Sequence, residues 1–139
     1  MGVERIFLAH EPFRINEKAV ENLPVRHQIE ILRFRLQHSG EDTRTMCRQM
    51  WQAGCRAFIV LGGDGTSRIV ASELPDSTIL PLSTGTNNVF PSMVEGTIAG
   101  LAAGIVAQGE IDLDTITNPS KSLEVRVDGE FRDIALVDV

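Results

Sequence analysis

AFIVLGGDGTSRIVASELPDSTILPLSTGTNN, residues Ala57–Asn88, decides how the rest of the chain is read. It opens on apolar, β-prone residues, Ala57-Phe58-Ile59-Val60-Leu61, which predict a buried strand. The strand runs into Gly62-Gly63-Asp64-Gly65-Thr66, and Ile69, Val70 and Leu74 follow at helical spacing. Strand, glycine turn and helix in that order expose backbone N–H groups at a helix N-terminus. That end carries roughly half a positive charge and suits phosphate oxygens. A second loop, Ser83-Thr84-Gly85-Thr86-Asn87-Asn88, ends the next predicted strand, Thr78–Leu82. Two such loops on neighbouring strand ends can grip one polyphosphate, which predicts a nucleotide site. Glycines after a strand also serve as a plain tight turn, and this pattern is neither the P-loop nor the dinucleotide G-x-G-x-x-G. Asp64 tips the balance: a carboxylate among phosphate-facing amides repels the ligand unless it accepts a proton or shares a cation.

On the N-terminal side, Ser39-Gly40-Glu41-Asp42 has the form of a capping box. Thr43, Met46, Cys47, Met50 and Trp51 then recur every three or four residues as one core-facing stripe, and Gly54 is placed to end the helix. Further back, Val3–Ala9 reads as a strand ending at His10-Glu11-Pro12, and Asn16–Leu23 as a short helix closed by Pro24. Gln28–Leu36 alternates as a half-exposed strand, although Leu32 and Leu36 also fit helical spacing. On the C-terminal side, Ser92-Met93-Val94-Glu95 offers a second capping box. Val94, Ile98, Leu101, Ala102 and Ile105 then form an amphipathic helix up to Gly109, and Gly100 and Gly104 within it predict close packing on the sheet. Strand and helix alternate throughout, so the fold class is α/β. A parallel sheet with helices on both faces is expected, with its ligand at the strand C-terminal ends.

After Gly109 the pattern changes. Ile111–Thr117 alternates as a strand, Asn118-Pro119-Ser120 breaks it, and Leu123–Val127 leads through Asp128-Gly129, a two-residue hairpin signal, into Phe131–Val139. A hairpin is marginal by itself. The expected organisation is therefore an α/β nucleotide-binding domain over residues 1–110, with residues 111–139 opening a second, β-rich domain that is cut short.

Apolar content of 42% and charged content of 23% are those of an ordinary globular domain. The net charge of −6 without basic runs argues against a nucleic-acid surface. Cys47 and Cys55 are too few for a disulfide scaffold and lack metal-ligand spacing, so no metal site is expected from protein side chains alone and Cys47 reads as a buried free thiol. Neither a signal peptide nor an apolar run of membrane-spanning length is apparent, and Ile6 stands where myristoylation wants Ser or Thr, so the cytoplasm is the default and no membrane partner is expected. The exposed hairpin edge is suited to pairing with a second copy in a homo-oligomer.

At GGDGT the chain resembles the superfamily that unites NAD kinases with diacylglycerol and sphingoid-base kinases. The runs LGGDGTSRIVA, PLSTGTNNVFP and EGTIAGLAAG are more closely similar to the acetoin catabolism protein X family, which is ATP–NAD kinase-like. That resemblance implies an α/β domain followed by a β-sandwich, with the active site in the crevice between them. It implies that Gly62, Gly63 and Gly65 hold ATP phosphates, that Thr66 caps the helix, and that Asp64 is the general base. It further implies that Thr84, Gly85, Thr86 and Asn88, with Asn87 between them, contact nucleotide, and that magnesium travels with the nucleotide. The sequence departs from lipid kinases at Val89, where they have aspartate, and at Ile69, where they have glutamate. It departs from NAD kinases at Val137-Asp138, where they carry the Asn-Glu pair that holds the dinucleotide ribose; Asp138 is the matching position.

The expected function is thus transfer of phosphate from ATP to a hydroxyl of NAD or a related acceptor. The alternatives are a non-catalytic nucleotide-binding regulatory protein and a lipid kinase-like phosphotransferase. With half of the crevice missing, these 139 residues alone are expected to fold but turn over little. Arg68, just inside the glycine-loop helix, is placed either to reach a phosphate or to stand solvated, and His10, at the end of the first strand, is a candidate to face the crevice.

Overall fold

The computed structural model describes residues 2–137. Its first strand, β1 (Ile6–Ala9), leads through helix α1 (Ile15–Val20) and a short 3-10 turn to β2 (Ile29–Leu32), which pairs with β1 in parallel. Helix α2 (Gly40–Gln52) follows, then β3 (Ala57–Gly62), helix α3 (Asp64–Glu73) and β4 (Thr78–Ser83), again parallel to β3. Helix α4 (Gly96–Gln108), the one-turn helix α5 (Leu113–Ile116) and the antiparallel hairpin β5 (Leu123–Val127) and β6 (Glu130–Ala135) complete the order. The strands of the α/β part are parallel as expected, but hydrogen bonding joins them in two separate pairs rather than one continuous sheet.

The centre of the molecule is β3. Phe58 and Val60 point to one face and are buried with Cys47 of α2, Val70 of α3 and Leu74 at the C-cap of α3, while Met50, Trp51, Cys55 and Ile79 close the cluster. The period-2 alternation of a strand explains why Ile59 and Leu61, on the other face, are 45% and 64% exposed. The strand read as buried thus buries Phe58 and Val60 and leaves Ile59 and Leu61 exposed. Pro81 sits within β4 at no cost to the ladder. Its carbonyl accepts from Ser92 N, so the missing N–H lies on the side away from β3.

Helix α2 begins as expected. Ser39 accepts from Glu41 N, and the Asp42 carboxylate accepts from Gln37 N (2.8 Å), His38 N (2.7 Å) and Ser39 N (3.3 Å). These amides, Gln37 N foremost, hold Asp42 below the usual carboxylate range. A carboxyl whose folded-state pKa is lowered stabilises the fold above its unfolded pKa of 3.8 and stops doing so as pH falls through the folded value. Thermal melts of the protein and of Asp42→Asn, run from pH 7 to pH 2.5, are expected to differ in shape. The variant should melt lower near neutrality and lose less below about pH 4; parallel curves would mean that Asp42 contributes nothing to the acid limb.

The expected stripe of α2 is realised, with Met46 and Cys47 buried. Burial, reinforced by the nearby Glu73 charge, pushes the Cys47 thiol up to about 11, and both cysteines are free. Glu73 ties α2 to α3 through Arg44 Nη1 (2.9 Å) and Arg48 Nε (2.9 Å).

Four local expectations are corrected. Ser92 does not start α4. Its N–H and C=O are bonded beside β4, to Pro81 O (3.1 Å) and from Ser83 N (2.8 Å), and Glu95 caps the helix instead by accepting from Thr97 N and Ile98 N. The stripe Ile98, Leu101 and Ile105 is exposed, whereas Ala99 is 1% exposed and Ala103 and Val106 lie half-buried. This helix is apolar on nearly every side, so its sequence could not select a face; its packing against β3 did, and Ala99 is the residue it buries. Nor do Gly100 and Gly104 mark tight packing, because a Cβ at either would meet nothing within 4 Å. Finally, Ile111–Thr117 is not a strand. Asp112 accepts from Asp114 N, and the hydroxyls of Thr115 and Thr117 donate to Asp112 O and Leu113 O, so side chains compete the backbone into a helical turn.

Asp128 and Gly129 both have positive φ, as the predicted two-residue turn requires. The hairpin is not free-standing: β6 packs on α3, where Arg68 pairs with Asp133. Among the described residues no helix is long and apolar enough to cross a membrane.

Candidate functional site

Parallel pairing with Gly62 opposite Ser83 brings the C-terminal ends of β3 and β4 to one edge, so both polar loops leave the sheet side by side. Gly63 is the N-cap of α3, in extended backbone, and no side chain caps this helix. The other two long helices differ, since Ser39 caps α2 and Glu95 caps α4. The first-turn amides of α3 are thus left without a side-chain acceptor, beside the partial positive charge of the helix end.

The loops touch directly. Thr84 N donates to Gly62 O (3.4 Å), and Asn88 Nδ2 donates to Ser83 Oγ (2.8 Å), whose own hydroxyl donates to Gly85 O (2.9 Å). Asn88 Oδ1 lies 2.7 Å from where a Cβ on Gly63 would stand, and Asn88 Nδ2 lies 3.1 Å from one on Gly85. Thr66 folds back over Gly62, its Oγ1 2.7 Å from a Cβ there. A Cβ at Gly62 or Gly63 would therefore force a neighbouring side chain to move and one at Gly85 would be tight, while at Gly65 a Cβ would meet nothing within 4 Å. That side of the turn is open.

Asp64, the first residue of α3, is half-buried and spans the gap. Its Oδ1 accepts from Phe90 N (2.8 Å) and Val89 N (3.2 Å), and its Oδ2 from Val89 N (3.1 Å). An acid read from sequence as poised beside a phosphate is, in this structure, also the latch between the two loops. Each carboxylate oxygen has two lone-pair sites, so these amides leave room for a further donor or a cation.

The structure thus gathers Gly62, Gly63, Asp64, Thr66, Thr84, Gly85 and Asn88, while Gly65 faces open space and Thr86 and Asn87 are exposed at the loop tip. Asp138 lies outside the described residues. Arg68 does not stand free for phosphate but pairs with Asp133, and His10 Nδ1 faces Glu17 Oε1 at 3.0 Å. Sequence reasoning missed Ser83 as the hub of the second loop and the amides of Val89 and Phe90 as the partners of Asp64. Ser83 alone had a signal, being a hydroxyl directly before a glycine-threonine loop. No trio of His, Cys, Asp or Glu suited to a metal occurs among the described residues. A magnesium ion brought with a nucleotide fits this donor set, because it needs only one or two carboxylates when phosphate oxygens and water complete its shell.

Residues 2–111 match the sequence pattern of the ATP-NAD kinase N-terminal domain. Acetoin catabolism protein X of Cupriavidus necator is 48% identical over 102 residues, which cover 70% of this chain and 28% of that protein. The chain therefore spans little more than a quarter of the length of this relative. No solved structure matches it.

Proposed function

The chain belongs to the ATP-NAD kinase N-terminal domain family, and from that premise we propose that it is the nucleotide-binding half of a phosphotransferase that moves phosphate from ATP to a hydroxyl of NAD or a related acceptor. The observation that carries this reading is the joining of two polar loops on one sheet edge around an uncapped helix start, with Asp64 between them. Amides of the α3 first turn and of the Thr84–Asn88 loop would bind the ATP phosphates, and Gly65 leaves the approach clear. Asp64 would take the proton of the acceptor hydroxyl as its oxygen attacks the γ-phosphorus and the bond to the departing ADP breaks. Magnesium, when bound with the nucleotide, would neutralise phosphate charge. Arg68 is already paired, so the loops supply no free cation of their own and the helix end and the metal would carry that load.

Relatedness in name to a protein of acetoin catabolism supports a place beside that chemistry. A second reading, a regulatory protein that binds nucleotide without turnover, is favoured by the engagement of both Asp64 oxygens with the second loop. Lipid phosphorylation is disfavoured by Val89 and Ile69, which replace carboxylates of the lipid-kinase pattern.

Titration with ATP and with NAD, each with and without magnesium, tests the shared part of both readings. Magnesium–ATP at a hundredfold excess over Kd is expected to raise the melting temperature by roughly 5–10 °C. Amide resonances of residues 62–66 and 84–90 should move together. Absence of any saturable nucleotide effect would remove both readings.

A further inference from the structure

Three carboxylates in this protein hold pairs or trios of backbone amides, and two of them do so to cap a helix. Asp42 closes the start of α2, and Glu95 closes the start of α4. Asp64 is different. Its partners, Val89 N and Phe90 N, begin no helix, since α4 starts only at Gly96, and they lie 25 and 26 positions away. Two successive N–H groups converging on one anionic group form a small anion-binding concavity. Here the anion is the protein's own.

The contact is within reach of a ligand. Val89 is 75% exposed, and the adjoining turn is open at Gly65. Asp64 N, Gly65 N and Thr66 N also precede the first amide bonded inside α3, Ser67 N to Gly63 O (3.1 Å). Of the two amide clusters that the loops bring together, Asp64 therefore fills one and leaves the other open.

We propose, resting on the nucleotide-binding reading above, that Val89 N and Phe90 N belong to the phosphate site and that Asp64 occupies them as an internal anion until a phosphate displaces it. A phosphate seated on the α3 amides repels the neighbouring carboxylate. The exchange puts one oxyanion in place of another, so both amides keep an acceptor and neither is left unsatisfied. What changes is Asp64, whose oxygens leave these amides and become free to accept the proton of an acceptor hydroxyl. The contact thus holds the acid away from chemistry while the nucleotide is absent. It also weakens phosphate binding, because affinity falls with the fraction of molecules in which a site stands open.

A contact that served only to hold the second loop in place would have the opposite effect on binding, and calorimetric titration separates the two. Pyrophosphate and ATP are the probes, both in EDTA so that no divalent ion bridges Asp64 to phosphate. Asp64→Ala is expected to bind them at least about fivefold more tightly than the parent, because the competing anion has gone. NMR of the parent gives a second reading without any substitution. At saturation with pyrophosphate the amides of Val89 and Phe90 should stay protected from hydrogen exchange, while the Asp64 carboxyl carbon resonance moves as the carboxylate is released. Equal or weaker binding by a folded Asp64→Ala protein, or an unmoved Asp64 resonance at saturation, overturns the proposal and leaves the nucleotide-binding reading standing. If the variant does not fold, the resonance decides alone. Failure of both probes to bind either protein overturns the proposal as well, and only if magnesium–ATP is also without effect does the nucleotide-binding reading fall with it.

Discussion

If the proposed phosphotransferase reading holds, Asp64→Asn is expected to lower ATP-dependent phosphorylation about 10²–10⁴-fold, the usual contribution of a positioned acid or base. An amide cannot accept the proton of the attacking hydroxyl. The same substitution also acts on structure, because Asp64 accepts from Val89 N and Phe90 N and Asn can present only one oxygen to them. Activity by itself would not separate the two effects. Hydrogen exchange at the amides of Val89 and Phe90 does. Loss of turnover with these amides still protected assigns the loss to proton transfer; loss with the loop released and nucleotide affinity gone assigns it to the latch. Undiminished turnover in the variant would remove Asp64 from the chemistry altogether.

Gly65→Ala and Gly63→Ala are expected to move stability in opposite directions while both weaken nucleotide binding at least tenfold. At Gly65 a methyl group meets nothing within 4 Å. Alanine in a helix is favoured over glycine by roughly 0.5–1 kcal/mol, so the melting temperature should rise. The added methyl nevertheless stands where phosphate must approach the first-turn amides. At Gly63 the methyl would fall 2.7 Å from Asn88 Oδ1, and Asn88 is anchored by Ser83, so the second loop has to shift. Overpacking of this kind costs about 1–3 kcal/mol. Thermal melts paired with ATP titration of each variant give the check. A Gly65→Ala protein that binds ATP as well as the parent would mean that phosphate does not lie over this turn.

The features legible in the sequence are those settled within a few residues of one another. The capping box at Ser39, the turn after β3 and the Asp128-Gly129 hairpin each depend on contacts closed inside one or two turns of chain, and the stripe of Met46 and Cys47 is declared by helical spacing. Their residue types declare them. What the chain order could not declare is which distant group claims a side chain. Arg68 was free on paper and is claimed by Asp133, 65 positions later; Asp64 was aimed at a ligand and is claimed by amides 25 and 26 positions later. The face of α4 was likewise undecidable, because a helix apolar all round offers no contrast between its sides until a neighbour approaches.

Local sequence alone therefore determined that glycine-rich loops would stand at the ends of two strands, since strand periodicity and turn chemistry are short-range properties. Tertiary structure alone decided that the two loops would be stapled together through Asp64 and Asn88. That outcome rests on the register of β3 against β4, which sequence neighbours do not control.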